Sequence, residues 1–234
     1  MARWILVTGG TKGIGRAIIE KFASEGFNIA TCSRNEKDLK SLKDQVRDQY
    51  SIKVMTSQVD VSKKEDLERF FGEVRSEISK LDVLVNNAGV FIPGAVHEEE
   101  EGALEKMIET NLYSAYRTTR AFVEPMKTAK QGHIFNICST ASIMPYVNGG
   151  SYCISKYAML GMSKVLREEM KPYDVRVTAV LPGATLTASW AGAQLPEERF
   201  MKSEDVAAVI WNAYQMSDRT VIEELVMRPQ LGDI

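Results

Sequence analysis

Short apolar, β-branched runs alternate along this chain with longer stretches whose apolar residues recur at helical spacing. The runs fall at residues 4–8, 27–33, 52–58, 82–86, 132–138, 174–180 and 221–227, which predicts strands there and helices in the intervals. Val83-Leu84-Val85 and Val177-Thr178-Ala179-Val180-Leu181 lack a polar face, as parallel strands covered on both sides must. Repeated strand–helix–strand units follow, and with them an α/β, doubly wound parallel sheet of about seven strands with helices on both faces. Gly26 is expected to end the first helix, Ser62 to cap a later one with Glu65 completing a capping box, and Pro125 to end another. A stripe of Leu104, Ile108, Ala115, Thr119 and Phe122 predicts a helix on whose buried side Asn111 falls. No linker, low-complexity segment or internal repeat divides the 234 residues, so a single domain over 1–234 is expected. The one long irregular stretch runs from about Pro182 to Arg199; a substrate lid is expected over about 184–200, carrying Trp190 and Leu195.

Composition narrows the class by exclusion. Hydrophobic residues make up 44% and charged residues 26%, and no apolar run reaches the roughly 18 residues that a membrane span needs. A net charge of -2 offers no electrostatic case for nucleic acid. The chain enters a strand almost at once, without the pattern of a secretory signal, and the cytoplasm is the expected compartment. Cys32, Cys138 and Cys153 form no C-x-x-C pair, and an odd number suits a reducing compartment; buried small hydrophobes are expected. His97 and His133, the only histidines, are too few with their neighbours to suggest a zinc site, so no metal is expected, and both are expected at the surface or in loops. The Glu98–Glu101 run reads as the solvated start of a helix, where carboxylates favour the dipole.

The most informative local feature is Thr8-Gly9-Gly10-Thr11-Lys12-Gly13-Ile14-Gly15, lying between the first strand and the first helix. Glycines there permit a tight turn and close approach of backbone to a pyrophosphate at a helix N-terminus. The spacing fits neither G-x-x-x-x-G-K-[ST] nor G-x-G-x-x-G; T-G-x-x-x-G-x-G remains. At the end of the second strand, where an acid would read a ribose 2′-hydroxyl, stand Ser33 and Arg34. A hydroxyl and a guanidinium can bind a 2′-phosphate, and Lys12 adds a second cation, so NADP(H) is expected rather than NAD(H).

Tyr152 and Lys156 are four residues apart and share one helix face. A phenol with a pKa of about 10 needs roughly 4 kcal/mol of anion stabilisation to work near neutrality, and a neighbouring ammonium can contribute to it. Ser139 follows an apolar strand at its carboxyl end, where side chains face the ligand crevice. No G-x-S-x-G supports a hydrolase.

With Asn86-Asn87-Ala88-Gly89 after the fourth strand, Asn111, Ser139 thirteen residues before Tyr152, Lys156 and Pro182-Gly183, the chain resembles the short-chain dehydrogenase/reductase family over nearly its whole length. The resemblance implies a Rossmann-type domain and an NADPH-dependent oxidoreductase exchanging hydride with a carbonyl or secondary alcohol. In it Tyr152 would be the general acid in reduction, and Lys156 would lower its pKa and bind the nicotinamide ribose. Ser139 would orient the carbonyl, and Asn111 would position a proton-relay water. Asp60, followed by Val61, would meet adenine; Asn87, Ala88 and Gly89 would support the cofactor; Pro182, Gly183, Thr185 and Thr187 would lie along the nicotinamide, with Gly9, Thr11, Lys12, Gly13, Ile14 and Gly15 at the phosphates. Cys138 and Ser142 depart from the family, which often has serine and glycine there. Apolar Ile154, Ala158, Gly161, Met162 and Val165 form a second side of the Tyr152 helix, and the resemblance implies a homodimer or homotetramer through it. A 3-oxoacyl thioester, a small aldehyde or ketone and a hydroxy acid stay open as substrates. A catalytically idle NADP-binding sensor on the same fold is the competing reading.

Overall fold

The computed structural model describes residues 2–190 and 194–234. Its strands are β1 (Trp4–Thr8), β2 (Asn28–Ser33), β3 (Val54–Gln58), β4 (Val83–Asn86), β5 (Gly132–Ile137), β6 (Val175–Pro182) and β7 (Glu224–Met227). They form one parallel sheet in the order β3-β2-β1-β4-β5-β6-β7, so every expected strand is present within a few residues of its expected bounds. The helices are α1 (Gly13–Ser24), α2 (Glu36–Tyr50), α3 (Lys64–Glu77), α4 (Ala103–Met107), α5 (Ser114–Ala129), α6 (Gly150–Met170) and α7 (Ser203–Tyr214). A π-helical turn, Ile108–Tyr113, joins α4 to α5.

Alternation along the strands builds two apolar layers. Ile5, Val7, Val83 and Val85 pack with Phe22 of α1, Leu42 of α2 and Trp211 of α7, while Leu6 and Leu84 pack on the other face with Phe70 of α3 and Phe122 of α5. The chain winds outward one way from β1 and the other way from β4, so a crevice opens at the carboxyl ends of those two central strands. No helix among the described residues is long and apolar enough to cross a membrane.

Five local expectations are corrected. Ser62 does not cap α3: its hydroxyl and N–H both donate to Asp60 Oδ1, and the helix starts at Lys64 behind Lys63. Pro125 lies inside α5 rather than at its end. Proline cannot supply the N–H that the Ala121 carbonyl would receive, and Arg75 supplies that donor at 2.8 Å instead. The helix stops at Lys130, whose φ of 48° is left-handed. Leu104 is exposed, whereas the rest of its stripe turns inward. His133 is fully buried in β5, not superficial. Glu98–Glu101 precede α4 rather than begin it, and Glu99 is half-buried and bound to Ser151 rather than freely solvated. The three cysteines are free and buried, as expected.

Candidate active site

The turn after β1 is built so that backbone lies bare. Gly9 and Gly13 take φ of +69° and +54°, which side-chain-bearing residues rarely adopt. A Cβ on Gly15 would stand 2.4 Å from both the Gly9 carbonyl oxygen and Asn87 Nδ2, so only glycine lets α1 come this close to the strand end. Thr8 Oγ1 accepts from the N–H groups of Asn87 and Ala88, each at 3.0 Å, and Asn87 Nδ2 donates to the carbonyls of Thr8 and Gly9 at 2.9 and 3.0 Å. Asn87 thus ties the β1 and β4 turns together. The N-cap residue of α1, Lys12, lends no side-chain acceptor to the first turn, which suits an anion there. The cradle therefore fits a dinucleotide pyrophosphate.

Beyond the turn, Thr11 Oγ1 donates to Ser33 Oγ at 3.2 Å, and Arg34 is exposed at the rim. Lys12 is paired with Asp38 at 2.8 Å, an exposed contact of small energetic weight. Burial opposes ionisation of the Asp60 carboxyl, but Ser62's two donated hydrogen bonds, with Arg34 and Lys63 nearby, hold its pKa below the usual value.

The expected catalytic groups come from the turn after β5 and from α6. Ser139 caps the turn Thr140–Ser142 that follows β5: its Oγ accepts from the Ala141 N–H at 3.1 Å, and Ser142 Oγ accepts from the Ser139 N–H at 3.2 Å. The serine that departs from the family pattern at 142 thus fastens Ser139 in place. Lys156, 5% exposed, donates from Nζ to the Ile137 carbonyl at 2.9 Å and lies over the Tyr152 ring, 5.8 Å from its centroid. Met159 and Ser163 continue this buried face of α6. Gly89 has Lys156 Nζ and Asn111 Oδ1 beside it, so the β4 turn abuts the same cluster.

A cleft of about 800 Å³ brings these parts together. Every expected cofactor residue lines it, as do Ser139, Tyr152 and Lys156. Asn111 does not: it sits behind the wall in the π-helical turn, its Oδ1 accepting from the Val90 N–H at 2.7 Å and its Nδ2 donating to the Val90 carbonyl and Ser155 Oγ. Its side chain clamps the β4 loop to α6.

The cleft's other half was not legible from spacing. Phe91, Met144 and Tyr146 line it, and the Phe91 ring meets Tyr152 edge-on at 4.9 Å. Burial, with Tyr152 and Cys153 adjacent, pushes the Tyr146 phenol's pKa up, so it stays protonated. Only the apolar run Met144-Pro145-Tyr146 between Ser139 and Tyr152 hints at that wall. Across the mouth, Leu186 and Met201 pair by backbone, and Trp190 packs on Phe200 at 5.1 Å while also lining the cleft. Leu195 is exposed, and residues 191–193 of the expected lid lie outside the described residues.

A family model described as short chain dehydrogenase matches residues 3–198. The chain is 33% identical to a sepiapterin reductase of Chlorobaculum tepidum over 100% of its own length and 99% of the relative's. It is 30% identical to an NADP-dependent 3-hydroxy acid dehydrogenase of Escherichia coli, covering 96% and 94% of the two chains. Among solved structures it superposes with a TM-score of 0.92 and 28% identity on an alcohol dehydrogenase of the archaeon Thermococcus sibiricus complexed with 5-hydroxy-NADP, covering 98% and 97%. With the glycine cradle, the Ser139–Tyr152–Lys156 cluster and near-complete coverage of these relatives in agreement, the chain belongs to the short-chain dehydrogenase/reductase family of nicotinamide-dependent oxidoreductases.

Proposed function

We propose that this protein is an NADP(H)-dependent carbonyl reductase in which Tyr152 is the acid-base group, Ser139 holds the substrate oxygen and Lys156 serves both phenol and cofactor. The observation that carries this reading is that all three residues line one cleft with the glycine turn. When bound, the nicotinamide supplies hydride to a carbonyl carbon in reduction and takes hydride up in oxidation. Ser139 Oγ already accepts from Ala141, which leaves its own proton for a substrate oxygen. Tyr152 delivers a proton to that oxygen as negative charge develops on it. Lys156 uses one N–H on the Ile137 carbonyl and keeps two for the phenol and ribose hydroxyls. Asn111 acts through structure, holding the Val90 loop against Ser155 of the same helix.

Arg34 and Ser33, with Lys12 beside them, are the proposed 2′-phosphate contacts; the names of the Escherichia coli relative and the Thermococcus structure, which specify NADP forms, favour the same choice. Asp60 and Val61 would border the adenine, and Pro182, Gly183, Thr185 and Thr187 the nicotinamide, with the segment about 184–200 closing over substrate. The wall of Phe91, Met144, Tyr146 and Trp190 suits a ketone or aldehyde with a flat, apolar body. On the outer side of α6, Ile154, Gly161 and Val165 are exposed, which supports assembly into a homodimer or homotetramer.

The test is a carbonyl panel including sepiapterin, a 3-oxoacyl thioester and small ketones, run with NADPH on the parent and on Tyr152→Phe. Loss of turnover with NADPH affinity retained is expected. Full turnover in the variant would refute the role of Tyr152, and absence of turnover by the parent on every carbonyl would favour the idle sensor.

A further inference from the structure

The first turn of α6, which carries Tyr152, lacks a cap of its own. Gly149 occupies the N-cap position and has no side chain to offer the helix's free N–H groups. The cap arrives from elsewhere: Glu99, on the loop between β4 and α4, accepts the Ser151 N–H on Oε1 at 2.8 Å and the Ser151 hydroxyl on Oε2. Ser151 is buried, and Gly150 leaves the room; a Cβ there would fall 2.1 Å from Glu99 Oε1. The same loop is pinned a second time, where the Gly94 N–H donates to the Asn148 carbonyl at 3.0 Å and Gly94 bridges to Gly149. Upstream it supplies Phe91 and Pro93 to the cleft, with Phe91 against the Tyr152 ring.

We infer that Glu99 is a positioning residue for the reaction: by capping α6 from the neighbouring loop it fixes Tyr152 and the Phe91 wall in one geometry. The inference rests on Tyr152 being the acid-base group. Two side chains on separate elements then share one anchor, and the residue next to the reactive phenol is held at both its backbone and its side chain. Without the carboxylate, Ser151 keeps neither bond, the first turn frays, and the phenol drifts relative to Ser139. Misplacement on that scale acts on turnover more than on binding of a cofactor whose cradle lies at β1.

Steady-state reduction of the best carbonyl substrate, with NADPH affinity measured separately by fluorescence titration, tests this on Glu99→Ala, Glu99→Gln, Ser151→Ala and Tyr152→Phe. For Glu99→Ala, kcat should fall about tenfold while NADPH affinity stays within about twofold. Glu99→Gln can accept from the Ser151 N–H and donate to its hydroxyl, so it should recover most of the turnover. Glu99→Ala and Ser151→Ala should be non-additive in the double variant, as partners in one contact are. Parent-like kcat in Glu99→Ala overturns the inference. So does an equal loss in Glu99→Gln, or a loss that moves turnover, NADPH affinity and melting temperature together. Full turnover by Tyr152→Phe is a different failure, of the active-site reading itself.

Discussion

Acidification should destabilise this protein through His133, a residue remote from the chemistry. Its ring is fully buried in β5 and stacks on Phe135 with centroids 3.9 Å apart. Thr178 gives its only hydroxyl proton to the Ile222 carbonyl at 2.6 Å, so in its 2.8 Å contact with His133 the imidazole Nε2 must be the donor. The neutral ring therefore keeps its lone pair on Nδ1, which has no hydrogen-bond partner among the described residues. A proton added there would be a buried charge without an acceptor; burial, and secondarily the Arg176 guanidinium, hold the pKa well below the usual histidine value. The unfolded chain takes up that proton near pH ~6.5 while the folded chain does not, so the unfolded state binds more protons below this pH. Stability is thus full above about pH 6.5 and falls beneath it by roughly 1.4 kcal/mol per pH unit for as long as the folded ring stays neutral. Down to about pH 5 the loss is roughly 2 kcal/mol, or about 4–8 °C in Tm for a chain of this size. Calorimetric melts of the parent and His133→Gln at about pH 7.5 and about pH 5 measure it, because carboxylate titration common to both cancels in the difference. The variant, which keeps an N–H for Thr178, should lose that much less on acidification. An equal loss in both proteins would refute the tautomer and the burial argument together.

Two further outcomes follow from the cofactor cradle. Gly15→Ala places a methyl against the Gly9 carbonyl, which cannot swing aside, and should cost about 1–3 kcal/mol in denaturant unfolding while weakening NADPH binding; parent-like values in both would show that the cradle has slack. Arg34→Ala should weaken NADPH relative to NADH by roughly ten- to hundredfold in paired fluorescence titrations, the worth of a hydrogen bond to a charged group. An unchanged ratio of the two affinities would remove Arg34 from the 2′-phosphate site.

The sheet was legible because its signal is repeated and local. A buried parallel strand must be apolar on both faces, and Leu6 and Leu84 serve one layer while Ile5, Val7, Val83 and Val85 serve the other, so the run itself marks the strand. The glycine turn was legible for a similar reason, since positive φ at Gly9 and Gly13 is a requirement of the backbone there. The helix boundaries were less so. Ser62 satisfied the capping pattern, but Asp60, two residues upstream, competes for the same hydroxyl and N–H and holds both.

Several features that the sequence did not show share one physical character: a polar group whose partner is tens of residues away. Pro125 reads as a helix end until Arg75, on another helix, takes the carbonyl that proline leaves without a donor. A histidine in an apolar run reads as superficial until Thr178 on the next strand satisfies one ring nitrogen. Asn111 reads as a buried amide that would position a proton-relay water, while the partners its amide has, the Val90 backbone and Ser155, lie on other segments. A run of four glutamates reads as solvated until one of them meets Ser151. In each case the fate of a polar group is decided by a partner that only tertiary packing supplies. The same logic separates two kinds of site residue. Tyr152 and Lys156 share one helix, so their spacing alone places them on one face. The groups that hold that helix in register come from the β4–α4 loop and the π-helical turn, where no spacing rule links them to it. Residues proposed to perform the chemistry were therefore readable from the chain, whereas those proposed to position them became visible only once the loop lay against α6.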